Sequence, residues 1–372
     1  MILGLRLLVS RPLMLVYVNI SYGRARFFLK IPYRQILKTT KTMKKIKAIL
    51  CVFLLAFLMT SSTKTTTIFV IGDSTAAEKS SYKTSPERGW GMVLQGCFDD
   101  KIIVDNHAVN GRSSLSFLNE GRWQKVLDKI KPGDYVFIQF GHNDEKPKAD
   151  RHTDPGSTFD ANLAKYVNET RAKGGIPVLF NAVVRRCYYS GELKNDDDEK
   201  LRNKKYDGKE LINSDTLIDT HGAYVVAPRH VAKALNVPFV DATKVTHDIE
   251  TSMGIEGSRK LHMWFLPGEN PQVPAGKKDN THYNIYGARI VANALADEIG
   301  RQVPALKKHV RHFDHVVSQE GRGDFFTLQE AVDAIPAGKK TTVLILGGEW
   351  KKPARMDGKK IKFVKYFGAT IR

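Results

Sequence analysis

The chain has 372 residues, of which 42% are hydrophobic, enough to bury the core of one large domain or two ordinary ones. This composition excludes a disordered protein. The formal net charge is +19, but residues 1–62 hold eleven lysines and arginines with no acid, and residues 316–372 carry a net +5, which leaves only +3 for residues 63–315. Because the central region is nearly neutral, we also exclude nucleic-acid binding.

A basic segment followed by an apolar one lies near the N-terminus. Met43-Lys-Lys-Ile-Lys47 precedes the apolar residues 48–59, and small polar residues 60–62 follow. This pattern predicts a secretory signal peptide over residues 43–62, and hence a secreted or periplasmic protein. Twelve apolar residues are short for a membrane-spanning helix, which needs ~20, so we expect no stable membrane span after signal removal. We interpret residues 1–42 as an over-extended start, with Met43 as the initiator.

The first clear strand of the central region ends on three small or polar residues. Residues 67–71 are β-branched or apolar, and Gly72-Asp73-Ser74 follows directly, which predicts a buried strand ending in a tight turn. Ser74 would then lie at the carboxyl end of a strand, where open α/β sheets bind their ligands. We interpret Ser74 as a nucleophile. The alternative is a helix-capping serine.

Strand and helix patterns then alternate along the chain. Further strands are predicted at residues 101–105, 135–140, 176–184 and 237–241. Helices are predicted at residues 87–98, 115–130, 159–173 and 222–235, and from residue 285 onward. Five strands alternating with helices predict a parallel sheet with helices on both faces. Cys97 and Cys187 could pair, but their spacing leaves this open.

The region between the fourth and fifth strands is polar. Residues 185–219 include Asp196-Asp-Asp-Glu199, which we interpret as part of a solvated excursion, with a cation site as the alternative. No spacing typical of metal ligands is present in the sequence. We therefore expect no metal.

The last motif of the central region is Asp279-Asn-Thr-His282, just before the final helix. A separation of three residues lets the carboxylate of Asp279 reach the near ring nitrogen of His282. Ester hydrolysis needs a nucleophile, a base, a group that orients the base, and donors for the oxyanion. Ser74, His282 and Asp279 would fill the first three roles. The oxyanion donors would be the backbone N–H groups of Ser74 and Gly111 and the side-chain amide of Asn143.

Each of these motifs is weak alone, since an Asp-x-x-His pair is often a surface ion pair. Their order carries more information. Gly72-Asp-Ser74, Gly111, Gly141-His-Asn-Asp144 and Asp279-Asn-Thr-His282 match in order the motifs of the SGNH, or GDSL-like, hydrolases, which the chain resembles over residues 66–303. The resemblance implies a flavodoxin-like three-layer α/β/α fold and no cofactor.

Other stretches are similar to the rhamnogalacturonan acetylesterases within that superfamily. They are Asn106-His-Ala-Val-Asn-Gly-Arg-Ser-Ser114, Phe140-Gly-His-Asn-Asp144, Asp219-Thr-His-Gly222 and Pro267-Gly-Glu-Asn-Pro271. This likeness implies removal of acetyl groups from an acetylated pectic polysaccharide or oligosaccharide. Arg185 and Arg186 follow the fourth strand, and we interpret them as substrate-binding residues that face the carboxylates of a polyuronate, with two solvated side chains as the alternative. The alternatives are a lipase- or thioesterase-type hydrolase of the same superfamily and a non-catalytic glycan-binding protein.

A different pattern follows a predicted linker at residues 304–315. Residues 316–336 resemble the beginning of pectin methylesterases, and residues 342–348 and 368–371 would suit the first coils of a parallel β-helix. A solenoid buries its core by stacking many coils, so about 55 residues make only an incomplete β-helix-like segment. We expect this truncated segment to be partly ordered at best and to lack methylesterase activity.

Overall fold

A computed structural model of the chain describes residues 65–191 and 210–372, together with the backbone of three strands nearer the N-terminus. Those strands are β1 (Gly4–Arg6), β2 (Leu15–Tyr22) and β3 (Ala25–Pro32), paired antiparallel in that order. They belong to a compact unit of residues 1–64, and residues 65–372 form a second compact unit. The predicted signal peptide, residues 43–62, lies outside the described residues, so export stays a prediction.

The second unit is built on a five-stranded parallel sheet. Its strands are β4 (Thr66–Gly72), β5 (Ile102–Asn106), β6 (Tyr135–Gln139), β7 (Ile176–Phe180) and β8 (Phe239–Val240). They lie in the order β5-β4-β6-β7-β8, and every neighbouring pair is parallel. This 2-1-3-4-5 order is that of flavodoxin-like sheets. The predicted five-stranded parallel α/β sheet is confirmed.

Eight helices of the described residues follow or cover these strands. They are α1 (Trp90–Val93), α2 (Ser114–Asn119), α3 (Arg122–Leu127), α4 (Thr158–Ala172), α5 (Ala223–Leu235), α6 (Ala242–Ser258), α7 (Ile285–Gln302) and α8 (Pro304–Lys307). The helix predicted at residues 115–130 is two short helices, because Gly121 between them adopts a φ of +66°. The helix predicted at residues 87–98 is reduced to α1 and a 3₁₀ turn, Leu94–Cys97.

Alternate side chains of the central strand β4 enter two separate cores. Ile68 and Val70 pack into a cluster with residues of α1 and α7, whereas Phe69 and Ile71 pack with residues of α2 to α5. All four side chains are at most 3% exposed. A strand buried on both faces needs a continuous apolar run, which is what residues 68–71 provide. The sheet therefore forms the middle of three layers.

Close packing at the end of β4 explains why a glycine precedes the Asp-Ser pair. A Cβ atom built on Gly72 would lie 2.7 Å from the carbonyl oxygen of Gln139 on the adjacent strand β6. Such a contact would push the two strands apart. Glycine thus allows β4 to stay paired with β6 up to the residue before the turn that carries Ser74.

The C-terminal segment, residues 315–372, is more regular than predicted. It contains β9 (His315–Val317), α9 (Leu328–Ala334), β10 (Lys340–Leu346), β11 (Glu349–Trp350), β12 (Lys360–Tyr366) and β13 (Thr370–Ile371). All its strand pairs are parallel, with β10 between β9 and β12, and β11 beside β13. The expectation of partial order at best is wrong, because α9 covers an apolar cluster that includes Val317, Ile345 and Trp350. That the segment begins a β-helix stays a prediction.

This segment also packs against the loop that follows Ser74. Arg88 is 1% exposed and donates from Nε to the carbonyl oxygen of Gly321 and from Nη2 to that of Tyr82, both at 2.8 Å. The rings of Tyr82 and Phe326 stack with their centroids 6.1 Å apart. The predicted linker is also bound to the sheet domain, since the backbone N–H of Arg311 donates a hydrogen bond to the carbonyl oxygen of Cys97.

Cys97 and Cys187 are both buried, and no disulfide joins them. Among the helices of the described residues, none is both long enough and apolar enough to cross a membrane.

Candidate active site

Ser74 lies in a turn that its neighbours hold rigidly. Asp73 is fully buried, and its Oδ1 accepts hydrogen bonds from the backbone N–H of Thr75 at 2.9 Å and from the Thr75 hydroxyl at 2.7 Å. The acidic residue of the Gly-Asp-Ser motif therefore shapes the turn rather than facing a substrate. Ser74 itself is 7% exposed, which leaves its hydroxyl close to the surface of the site.

Asp279 and His282 lie in the loop before α7, and their side chains are in contact. Nδ1 of His282 is 3.0 Å from Oδ2 and 3.1 Å from Oδ1 of Asp279. Oδ1 also accepts the backbone N–H groups of Thr281 and His282, each at 3.0 Å. Burial would raise the pKa of Asp279, but the charge and hydrogen bonds of His282, together with the charge of Lys277, lower that pKa below its usual range. Asp279 is therefore a carboxylate that both shapes the loop and orients the ring.

The other ring nitrogen of His282 faces the serine. Its Nε2 lies 2.9 Å from Oγ of Ser74, although the two residues are 208 positions apart in the sequence. The structure thus brings Ser74, His282 and Asp279 into one hydrogen-bonded series, in which a proton can pass from the hydroxyl to the imidazole while the carboxylate stabilises the resulting cation.

Two other segments fix the backbone of the histidine loop. On one side, the backbone N–H of Met263 donates to the carbonyl oxygen of His282 at 2.8 Å. On the other side, the backbone N–H of Arg88 donates to the carbonyl oxygen of Tyr283 at 3.0 Å. Asn284 then caps α7 by accepting the backbone N–H of Gly287. The imidazole is therefore carried by a loop with little freedom to shift.

The predicted oxyanion loop runs past the end of β4. The backbone N–H groups of His107 and Val109 donate to the carbonyl oxygens of Val70 and Gly72, at 2.8 and 3.0 Å. This extends the pairing with β4 and brings the following residues beside the turn of Ser74. Gly111 has a φ of +75°, a conformation that favours glycine.

The side chain of Asn143 reaches the same loop. Asn143 is 3% exposed and its Nδ2 donates to the carbonyl oxygen of Arg112 at 3.2 Å. Its neighbour Asp144 accepts the backbone N–H groups of Ser114 and Gly141 and the hydroxyl of Thr153, at 2.9 to 3.1 Å. Asp144, which has no separate role in the sequence-based prediction, therefore connects the Asn143 loop to the oxyanion loop.

Lys79 is a residue of the site that the sequence did not reveal. It is 4% exposed, and its Nζ lies 2.7 Å from the carbonyl oxygen of Ser74, from Oδ1 of Asn110 and from Oε1 of Glu87. Burial lowers the pKa of Lys79, and the carboxylate of Glu87 opposes that shift. In the sequence, Glu78-Lys79-Ser80 reads as an ordinary polar loop, so no local signal indicates a buried cation.

Arg185 lies near the site but is held by an ion pair. Its Nη2 is 2.5 Å from Oε1 of Glu145, whose Oε2 lies 2.8 Å from Nδ1 of His221. The His221 ring packs edge to face on His142, with centroids 4.4 Å apart. Burial, and then the nearby His221, lower the pKa of His142 well below its usual range, so this ring is neutral.

The structure argues against substrate binding by Arg186. Its side chain is fully buried and donates to Oγ of Ser258 at 3.0 Å and to the carbonyl oxygen of Ile255 at 2.6 Å, besides its ion pair with Glu210. Its backbone N–H donates to the carbonyl oxygen of Asn280, so Arg186 supports the Asp279 loop from behind. Cys187 and Tyr188 are buried too, which makes the start of the predicted solvated excursion part of the core.

Residues 196–199, considered above as an alternative cation site, lie outside the described residues. Within residues 65–191 and 210–372, no group of three or more His, Cys, Asp or Glu side chains is placed to hold a metal ion.

The chain is similar to known proteins of one family. Residues 70–290 match the GDSL-like lipase/acylhydrolase family. The chain is 37% identical over 255 residues to the rhamnogalacturonan acetylesterase RhgT of Bacillus subtilis (strain 168). The aligned region covers 68% of this chain and 96% of that protein. It is 32% identical over 234 residues to YesY of the same organism, a probable rhamnogalacturonan acetylesterase, which covers 62% of this chain and 91% of that protein.

A solved structure is also similar. The crystal structure of YxiM from Bacillus subtilis superposes with a TM-score of 0.50 at 25% sequence identity, and the match covers 65% of this chain and 58% of that one. The likeness supports the α/β fold described above.

Proposed function

The chain belongs to the GDSL-like lipase/acylhydrolase family and is an ester hydrolase, and we propose that it removes acetyl groups from rhamnogalacturonan through an acyl-serine intermediate. Two observations support the proposal. The triad geometry supports the chemistry, and the names of two relatives, one 37% and the other 32% identical, support the substrate. The same names favour a carbohydrate ester over a lipid ester or a thioester.

In the first half of the reaction, Oγ of Ser74 attacks the acetyl carbonyl carbon while Nε2 of His282 takes the hydroxyl proton. The carbonyl oxygen becomes an oxyanion, which the N–H groups of Ser74 and Gly111 and the amide of Asn143 stabilise. The intermediate then collapses, the sugar oxygen leaves with the proton from His282, and the acetyl group stays on Ser74.

In the second half, a water molecule attacks the acetyl-serine ester and His282 takes one of its protons. The tetrahedral intermediate forms again in the same oxyanion site. When it collapses, Ser74 leaves as an alkoxide, recovers its proton from His282, and acetate is released. Asp279 remains ionised throughout and stabilises the imidazolium in both halves.

The contact between Oγ of Ser74 and Nε2 of His282, at 2.9 Å across 208 positions, carries this proposal. The experiment is acetate release from acetylated rhamnogalacturonan, compared with acid release from long-chain p-nitrophenyl esters and from acyl thioesters. Faster hydrolysis of the long-chain esters would indicate a lipase-type enzyme. Binding of the polysaccharide without release of acetate would indicate a glycan-binding protein.

Arg185 stays our candidate for binding the uronate carboxylates, although its ion pair with Glu145 neutralises part of its positive charge. Arg185→Gln is expected to raise KM for acetylated rhamnogalacturonan about tenfold, equivalent to ~1.4 kcal/mol, because one cation no longer faces the polyanion. KM for p-nitrophenyl acetate, which has no carboxylate, should change less than about twofold. Glu145→Gln is the matched control, since it breaks the same ion pair but keeps the cation. An equal rise in both KM values for Arg185→Gln would contradict the assignment.

We also propose that residues 43–62 direct export. N-terminal sequencing of the protein recovered from the periplasm or medium should begin just after residue 62. A mature protein that begins at Met1 would contradict both the signal peptide and the interpretation of residues 1–42 as an over-extended start.

A further inference from the structure

Lys79 requires an explanation because a buried ammonium group is costly. Removing a charge from water is unfavourable unless an opposite charge and hydrogen bonds compensate. The side chain is 3% exposed, and Glu87, 20% exposed, supplies one opposite charge at 2.7 Å. An apolar residue could fill this space without that cost, so packing alone does not account for a lysine here.

The three short contacts of Nζ reach three different segments of the site. The carbonyl oxygen of Ser74 belongs to the nucleophile turn, and Oδ1 of Asn110 belongs to the oxyanion loop just before Gly111. Glu87 pairs in a β-bridge with Asn284, two residues after His282. An ammonium group has three donors, so these contacts use all of them. One cation thus connects the segments that carry the nucleophile, an oxyanion donor and the base.

We propose that Lys79 is a positioning residue for ester hydrolysis, which holds the Ser74 turn and the Asn110-Gly111 turn in register so that their N–H groups converge on one oxyanion. The hydrogen bond to the Ser74 carbonyl fixes the nucleophile turn just after its oxyanion-donating N–H. The bond to Asn110 fixes the residue before Gly111. A displacement of about 1 Å between such groups can cost ~10²-fold in rate. The positive charge also adds to the electrostatic stabilisation of the developing anion.

A purely structural role makes a different prediction. If Lys79 only neutralised Glu87, its loss would lower stability but leave the rate of the folded enzyme unchanged. Removing both charges together would then restore wild-type behaviour. The positioning role predicts instead that kcat falls, that KM is little changed, and that removing Glu87 does not restore kcat.

The test compares Lys79→Met with the double variant Lys79→Met/Glu87→Gln, both assayed with p-nitrophenyl acetate. We expect kcat to fall roughly 30- to 100-fold in both, with KM within about threefold of wild type. Labelling of Ser74 by a fluorophosphonate should slow by a similar factor, because its tetrahedral adduct uses the same oxyanion donors. The double variant should regain most of the thermal stability lost in the single one, since the partly buried carboxylate of Glu87 is no longer left unpaired.

Two further variants sharpen the result. Lys79→Arg keeps the positive charge. The N–H groups of a planar guanidinium point in fixed directions and cannot all reach the three acceptors that surround Nζ of Lys79, so the kcat of this variant should also fall at least about tenfold. Lys359→Met is the matched control, because Nζ of Lys359 also donates to a carbonyl oxygen, that of Val332 at 2.7 Å, but in the C-terminal segment. Its kcat should equal that of wild type.

A wild-type kcat in the double variant would overturn the proposal, as would a rise in KM equal to the fall in kcat. Because the assay uses an aryl acetate, it does not depend on which polysaccharide is the substrate. Failure to hydrolyse acetylated rhamnogalacturonan would count against the proposed function and leave the role of Lys79 standing.

Discussion

Replacing Ser74 with alanine is expected to lower kcat for acetate release roughly 10⁴- to 10⁶-fold while leaving the fold intact. In the proposed reaction the hydroxyl oxygen of Ser74 forms the acyl-enzyme, and its polar contact in the triad is to Nε2 of His282 at 2.9 Å. Removing it leaves only oxyanion stabilisation and substrate binding to assist attack by water. The measurement is acetate release from acetylated rhamnogalacturonan, with fluorophosphonate labelling of the wild type and the variant.

Ser80→Ala is the matched control for this variant. Ser80 lies six residues further along and is exposed, so its removal should leave kcat within about twofold of wild type. The hydroxyl of Ser74 bonds to His282 and makes no hydrogen bond within its own turn. The thermal midpoint of Ser74→Ala should therefore match that of the control. Activity of Ser74→Ala above about one per cent of wild type, or labelling at another serine, would contradict the assignment of the nucleophile.

Most of the sheet could be predicted because a strand buried on both faces leaves a continuous apolar run in the sequence. Residues 68–71 are such a run, and so are residues 135–138 of β6. The fifth strand was predicted at residues 237–241 but comprises only Phe239–Val240. Pro238 lacks a backbone N–H and cannot donate to a neighbouring strand, although its carbonyl oxygen accepts the N–H of Leu179 at 3.0 Å.

The place of the candidate site residues in the fold could be predicted for another reason. Each of Ser74, Asn143 and His282 follows a strand or precedes a helix, where the chain order alone places it at the carboxyl edge of a parallel sheet. The same reasoning predicts that both Arg185 and Arg186 bind substrate, because the sequence does not distinguish two arginines that follow a strand. The side chain of Arg186 is instead fully buried. The partners that bury Arg186, such as Ser258 and Glu210, come from distant parts of the chain.

Lys79 and Asp144, which support the site, cannot be predicted from the sequence because their partners also come from other segments of the chain. Lys79 acquires its role only when Asn110 and Glu87 are brought within 2.7 Å of its Nζ. Such contacts depend on loop conformation, which hydrophobic periodicity does not encode. Asp144 is part of the Gly-His-Asn-Asp motif, but its role as a hydrogen-bond acceptor depends on the positions of Ser114 and Thr153. Sequence patterns therefore predict the reacting groups better than the groups that hold them.

Replacing Asp279 with asparagine tests the orienting role without disturbing the loop. Oδ1 of Asp279 accepts two backbone N–H groups at 3.0 Å, and an asparagine carbonyl oxygen can accept the same two. The amide nitrogen would then take the place of Oδ2, 3.0 Å from Nδ1 of His282. It would donate to Nδ1 and force the ring proton onto Nε2, the nitrogen that must accept the proton of Ser74.

We therefore expect Asp279→Asn to lower kcat about 10⁴-fold, with KM and the thermal midpoint close to wild type. Asp314→Asn is the matched control, because Asp314 also accepts a backbone N–H, that of Thr342, but lies in the predicted linker just before the C-terminal segment. The lowered pKa of Asp279 adds a second expectation. A group with a depressed pKa loses its charge only as the pH falls below the usual aspartate range near ~3.9, so Asp279 causes no loss of wild-type activity at mildly acid pH. A kcat for Asp279→Asn within tenfold of wild type would show that His282 takes its working tautomer without this carboxylate, and that Asp279 serves only to shape the loop.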